Sequence, residues 1–196
     1  MNFFELFSIF FSALIINNIV LMRFIALCSF FGVSDKMSSS VGMSSAVTFV
    51  MVMATSVTWL LYNFVLVPLN IEFLRTLSFI LVIASLVQLV EIIMKKYMKG
   101  LYRALGIYLP LITTNCAILA VTFLNVDYKY GFIQSMVYTA GVAGGYSLAI
   151  ILFSGIRERL SIAPIPKFIE GYPLVFFTAA LMSLAFMGFG GLFGLQ

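Results

Sequence analysis

Apolar residues run along this chain in long unbroken stretches, with polar residues gathered in short patches between them. A helix crossing a bilayer needs about 20 apolar residues. Six stretches meet that length, at roughly 3–27, 41–62, 73–94, 101–124, 132–154 and 173–194. The patches between them carry turn-forming or charged residues: Gly32-Val33-Ser34-Asp35-Lys36, Pro68-Leu69-Asn70, Lys95-Lys96, Asn125-Val126-Asp127 and Pro164-Ile165-Pro166. The runs are continuous and do not alternate, which argues against a transmembrane β-barrel. The pattern predicts an all-α polytopic membrane protein: a single transmembrane domain over 1–196 with six spans and short loops.

The two halves of the chain resemble each other. Leu14-Ile15-Ile16-Asn17-Asn18 matches Leu111-Ile112-Thr113-Thr114-Asn115, and Ala84-Ser85-Leu86 matches Met182-Ser183-Leu184. Each half, about 1–98 and about 99–196, holds three spans. An odd number turns the second copy upside down, so the expected architecture is a pair of inverted three-helix repeats with the functional region where they meet. Chance similarity between apolar segments is the plainer alternative.

Composition removes whole classes of protein. Apolar residues make up 63% and charged residues 9% of the chain, against about a quarter charged in soluble domains. Mean hydropathy is +1.14. A cytosolic globular enzyme, a disordered chain and a secreted disulfide scaffold are excluded. No polar stretch is long enough for a soluble head domain. The N-terminus lacks a basic region and a small-residue cleavage site, so a retained first span is expected there.

The net charge is +4, and its distribution carries orientation, with no sign of nucleic-acid binding. Loops one, three and five hold Lys36, then Lys95, Lys96, Lys99 and Arg103, then Arg157, Arg159 and Lys167; loops two and four hold only Arg75 and Lys129. By the positive-inside rule the odd loops face the cytoplasm and both termini lie outside.

Polar residues inside the spans mark candidate chemistry. Asn17-Asn18 lies in the first span and Thr113-Thr114-Asn115-Cys116 in the fourth, after Pro110. A polar side chain in hydrocarbon needs an internal partner. Taken singly, each cluster reads as polar glue between helices, worth about 0.6 kcal/mol per hydrogen bond. As a matched pair they predict broken helices one and four. Length agrees for the first: Phe3 to Phe31 would extend about 43 Å as a straight helix, against about 30 Å of hydrocarbon. Arg23 is read either as a functional intramembrane charge or as snorkelling to the cytoplasmic face. Glu91 reads as an interfacial acid. Gly141 with Gly145, and Gly190 with Gly194, have the spacing of close helix packing. No nucleotide-binding motif is present.

There is no His, and the two cysteines, Cys28 and Cys116, are far apart in sequence. Four roles stand open for them: small hydrophobes, a disulfide, a zinc site or part of an iron–sulfur cluster. Counted along straight helices, Cys28 falls near the cytoplasmic end of span one and Cys116 well inside span four. The count argues against a disulfide, and a cluster would need the helix break near Asn17-Asn18 to bring Cys28 toward the midplane. A cluster takes four thiolates as a rule, so a second chain would have to supply two.

Several stretches carry a resemblance. Asn17-Asn18-Ile19-Val20-Leu21, Leu27-Cys28-Ser29-Phe30-Phe31-Gly32-Val33-Ser34, the segment Leu105–Ala117 with Pro110 and Thr113-Thr114-Asn115-Cys116, Gly155-Ile156-Arg157-Glu158-Arg159-Leu160, and the tail Leu181–Phe189 resemble the A-type membrane proteins of the Rnf electron-transport complex. The resemblance covers almost the whole chain. Its cysteine motifs are shared with the E-type member of the sodium-translocating NADH:quinone reductase. Ser29 stands where the family usually has Pro, and Ala26 where Gly is common.

The resemblance implies a subunit of an ion-translocating ferredoxin:NAD+ oxidoreductase in a bacterial or archaeal cytoplasmic (inner) membrane. It implies a pseudo-symmetric pair with the homologous E-type member of the Rnf complex. A [2Fe–2S] cluster would be shared between the two, with Cys28 and Cys116 as this chain's ligands. Asn18, Thr114 and Asn115 are candidate hydrogen-bond donors around it. Electrons would cross the membrane through the cluster, coupled to Na+ or H+ transport. Ferredoxin, NAD and flavin sites would lie on the other Rnf members (B, C, D and G), and no catalytic residue is expected here. Three readings compete: the E-type member of the sodium-translocating NADH:quinone reductase, a secondary transporter using the broken helices, which gives the cysteines no task, and a structural subunit without a cofactor.

Overall fold

The structure, a computed structural model, describes residues 3–69, 72–97, 111, 115–162, 164 and 171–193. Among them every regular element is helical. Helix α1 (Phe3–Phe11) runs into a π-helical turn, Ser12–Ile16, and α2 spans Leu27–Val33. Helix α3 (Met37–Leu61) continues through a second π-helical turn, Tyr62–Leu66, and the short piece Val67–Leu69. A 3₁₀ turn, Glu72–Leu74, leads into α4 (Arg75–Tyr97). Then follow α5 (Cys116–Asp127), α6 (Phe132–Leu160) and α7 (Tyr172–Phe193).

Three stretches are long and apolar enough to cross a bilayer: Met37–Leu66, Arg75–Ile93 and Phe132–Leu160. They are the predicted spans two, three and five. Helix α3 starts earlier than the apolar run, at Met37, and takes in Ser38-Ser39-Ser40. There Ser40 Oγ donates to Val33 O and Lys36 O at 3.3 and 3.2 Å, so its hydroxyl is satisfied locally and does not end the helix. Helix α6 runs on past 154 to Leu160, with Arg157 and Arg159 in its last turn, where cations favour the helix dipole.

The core is the antiparallel pair α3 and α6. Met43, Val47, Val50, Met51 and Ala54 on α3 are buried, as are Val142, Ala143, Tyr146, Ala149, Ile150 and Phe153 on α6. Each set recurs at helical spacing. Hydroxyls pair across the seam: Thr48 with Ser147 (3.4 Å) and Thr55 with Thr139 (3.0 Å), while Trp59 Nε1 donates to Tyr130 O (3.2 Å). Small and hydroxyl residues are what lipid-embedded helix contacts favour.

Helix α1 lies along α6 in the same direction. A Cβ on Gly141 would sit 2.7 Å from Phe10 O, and one on Gly145 2.7 Å from Leu14 O. The close packing predicted for this glycine pair is therefore present. Gly194 lies outside the described residues.

Ion pairs mark the two ends of the molecule. Asp35 pairs with Arg157, joining loop one to the end of α6. Arg75 pairs with Asp127 at 3.0 Å, joining the start of α4 to the end of α5. Loops one and five thus share one end, and loops two and four the other, as the alternating charge pattern requires.

Candidate functional site: a thiol pair at the start of two short helices

The first predicted span does not continue as one helix. After Ile16 the chain is irregular over 17–26. Asn17 N–H still donates to Ser12 O (2.8 Å), five residues back, closing the π turn. Asn18 then takes over the freed backbone groups. Its Oδ1 accepts from Val20 N–H and Leu21 N–H at 3.1 and 3.4 Å, and its Nδ2 donates to Gly145 O at 2.8 Å and Leu14 O at 3.4 Å. Ser183 Oγ on α7 donates to Leu21 O at 2.7 Å. A break in an apolar interior survives only when such partners are present. Asn18 is fully buried, and its donors serve backbone carbonyls.

Two residues in the break, Phe24 (φ 53°) and Ala26 (φ 69°), adopt the left-handed region. That region costs an L-residue with a Cβ about 1–2 kcal/mol. Ala26 caps the start of α2 and turns the chain onto it. A glycine would fit this backbone without strain.

Cys28 is the second residue of α2, and Cys116 opens α5. Their Sγ atoms are 3.9 Å apart. The straight-helix count, which put the thiols at different depths, is corrected here. The helical part of the first span ends at Ile16, and the turned segment brings Cys28 level with the middle of α6. From that level α2 runs with α6 toward the loop-one end: Ser29 contacts Tyr146, Phe30 stacks on Phe153 with ring centroids 4.3 Å apart, and Ser34 meets Arg157. Helix α5 runs the other way, to Asp127. The thiols therefore mark the point from which two short helices diverge.

Both thiols are free and exposed. A disulfide requires about 2.05 Å between sulfurs; two thiolates on one tetrahedral metal, with bonds of about 2.3 Å, stand about 3.8 Å apart. The observed separation fits the second arrangement. No group of three or more His, Cys, Asp or Glu suited to a metal occurs among the described residues, so among them the two thiols stand as a pair. Behind the pair, Asn115 Oδ1 accepts from Ala117 N–H at 3.0 Å, capping α5 as Asn18 caps the break. Asn115 Nδ2 is buried with no hydrogen-bond partner among the described residues. An unpartnered buried amide donor on the residue next to Cys116 suits a negatively charged group there. These residues fit an iron–sulfur cluster. Thr114, with Pro110 and Thr113, lies outside the described residues.

Three residues of this region were not singled out as site residues from the sequence. Tyr146 and Ser29 are fully buried, and Tyr146 OH donates to Ser29 Oγ at 3.0 Å. Arg157 donates to Phe31 O at 3.0 Å and Ser34 Oγ at 2.7 Å, besides pairing with Asp35. The available signal was a tyrosine within an apolar, glycine-rich run, since a buried phenol needs a partner.

Arg23 departs from one expectation. Its guanidinium donates to Tyr128 OH at 3.0 Å, at the end that carries loops two and four. Snorkelling toward the basic loops is thereby overturned: the turn of the chain over 17–26 aims the side chain the opposite way. Asn17 and the Tyr128, Tyr130 and Tyr138 rings line a cavity of about 350 Å³ near it, together with Ser8 and Ser12. Glu91 sits on α4, one turn before Lys95.

A helical membrane protein with two thiols brought within 3.9 Å of each other is the class that fold and site define. The Rnf-Nqr family model, that of a membrane protein subunit, matches residues 6–193. The chain belongs to the Rnf-Nqr family. It is 52% identical over 180 residues to the A subunit of the ion-translocating oxidoreductase complex of Syntrophotalea carbinolica, covering 92% of this chain and 93% of that one. It is 51% identical over 181 residues to the A subunit of the Na(+)-translocating ferredoxin:NAD(+) oxidoreductase complex of Acetobacterium woodii, covering 92% and 94%. The A subunit of the ion-translocating oxidoreductase complex of Serratia proteamaculans is 52% identical over 188 residues, covering 96% and 97%.

Proposed function

We propose that this chain is the A-type membrane component of an Rnf ion-translocating oxidoreductase. Cys28 and Cys116 supply half the ligands of a [2Fe–2S] cluster, and a homologous partner subunit supplies the other half. The observation that carries this reading is the 3.9 Å approach of two sulfurs from helices that run in opposite directions. When bound, the cluster accepts and releases a single electron in the membrane interior, where a bare charge is costly.

The chain's own residues hold and orient. Cys28 and Cys116 are the thiolate ligands. Asn18 keeps the first helix broken so that Cys28 reaches Cys116. Asn115 fixes the start of α5 and leaves one N–H to offset negative charge. The apolar seam around Phe30, Phe153 and Ile118, all buried, keeps water away from the rear of the pair. The matched roles of Asn18 and Asn115 and the antiparallel α3/α6 core support the six-span, inverted-repeat arrangement. The distribution of basic residues supports cytoplasmic odd loops. The electron path is ferredoxin to NAD+, coupled to Na+ or H+ transport, with flavin and NAD bound by other subunits.

The test is electron paramagnetic resonance of the assembled complex carrying Cys28→Ser or Cys116→Ser. Each variant is expected to lose the [2Fe–2S] signal. A signal that persists unchanged in both removes the ligand assignment.

A further inference from the structure

Tyr146 lies at mid-height on α6 and is fully buried. Its hydroxyl donates to Ser29 Oγ at 3.0 Å, and Ser29 Oγ donates in turn to Ala26 O, also at 3.0 Å. Ser29 is itself fully buried. The relay therefore starts on the rigid core helix and ends on the left-handed residue that opens α2. Cys28 lies between the two residues it grips.

Helix α2 has seven residues, too few to hold its own position. Its place is set by what it docks on. The Phe30–Phe153 stack holds its middle and the Arg157 contacts secure its far end. At the sulfur's end, the docking contact to α6 is the Tyr146–Ser29 hydrogen bond. A ligand's orientation and the polar groups behind it are what set a metal centre's potential.

We propose that Tyr146 is a positioning residue for Cys28. Through Ser29 and the Ala26 carbonyl it fixes the direction of the Cys28 sulfur, and with it the reduction potential of the group that Cys28 and Cys116 hold. The inference rests on the ligand reading above and goes beyond it by naming what tunes the site.

Tyr146→Phe removes the hydroxyl and keeps the ring. In a redox titration of the intact complex followed by paramagnetic resonance, this variant is expected to keep wild-type iron content. Its midpoint potential shifts and its g-values move, because the hydrogen bond that ties the start of α2 to α6 is lost and the Cys28 sulfur is no longer held in one direction. Ser29→Ala shifts the potential in the same direction, and the double variant shifts no further than the larger single. Ser29→Thr, which retains a hydroxyl, returns toward wild type. Wild-type potential and spectrum in Tyr146→Phe overturn the proposal; if that variant does not assemble, wild-type values in Ser29→Ala overturn it. The ligand reading fails separately, by survival of the signal in the cysteine variants. Loss of the signal there, with a potential indifferent to Tyr146 and Ser29, defeats the positioning role alone.

Discussion

Asn18 engages its whole amide in holding the chain out of a helix. Two backbone N–H groups and two carbonyls end on one side chain in a fully buried position. Asn18→Ala leaves Val20 and Leu21 N–H without their acceptor, at about 1–3 kcal/mol for an unsatisfied buried group. The complex is expected to melt at lower temperature and to lose cluster signal together with stability. A wild-type melting temperature would dismiss this role. Ala26 shows a second constraint at the same scale. Ala26→Gly relieves the left-handed backbone, at the loss of one buried methyl worth about 0.8 kcal/mol, so it is expected to be neutral or slightly stabilising. Ala26→Val adds a β-branched side chain to a conformation that such residues avoid and is expected to prevent accumulation of the subunit. Equal yields of the two variants, read by immunoblot of membranes, would contradict the assigned backbone.

Among the elements, α6 acts as the rail on which the broken first span is laid. Gly145 admits the α1 backbone: a Cβ at this position would stand only 2.7 Å from Leu14 O and 3.1 Å from Asn18 Nδ2. Gly145→Ala therefore pushes against backbone that cannot move aside, and is expected to destabilise by about 1–3 kcal/mol, the range for overpacking. Thermal melting of the complex measures it, and an unchanged midpoint would contradict the close approach. Farther along, Arg157 gathers Phe31 O, Ser34 and Asp35 at the far end of α2. Asp35 is half exposed, so the ion pair itself contributes little. The full set needs the planar fork of a guanidinium, because one nitrogen serves both Phe31 O and Ser34 while the other faces Asp35. Arg157→Lys is thus expected to behave like Arg157→Ala, with reduced cluster occupancy per complex measured by iron analysis. Full occupancy in the lysine variant would show that charge alone suffices.

At the scale of the whole molecule, two ion pairs sort the loops to opposite ends, and the basic residues concentrate at one of them. The expected consequence is sidedness. Lys36→Cys reacts with a membrane-impermeant maleimide in inside-out vesicles, and Lys129→Cys in right-side-out vesicles. Labelling of both from one side would overturn the orientation.

The apolar runs by themselves determined the helical class and placed spans two, three and five within a few residues. They succeed because a bilayer forces every backbone group into helical bonding. The paired polar clusters also announced the break after Ile16, since Asn in hydrocarbon must find a partner. Gly141 and Gly145 were legible for a similar reason: only backbone approach makes such spacing useful. The meeting of Cys28 with Cys116 was not legible from spacing. A straight helix assigns depth by counting residues, and the turned segment over 17–26 cancels that count. Arg23 was misdirected by the same turn. Tyr146 and Ser29 lie 117 positions apart, and Arg157 and Phe31 lie 126 apart. Hydrogen bonds at that range leave no local periodicity, so only the packing of α2 along α6 decides which buried donor finds which acceptor, and therefore where the sulfur points.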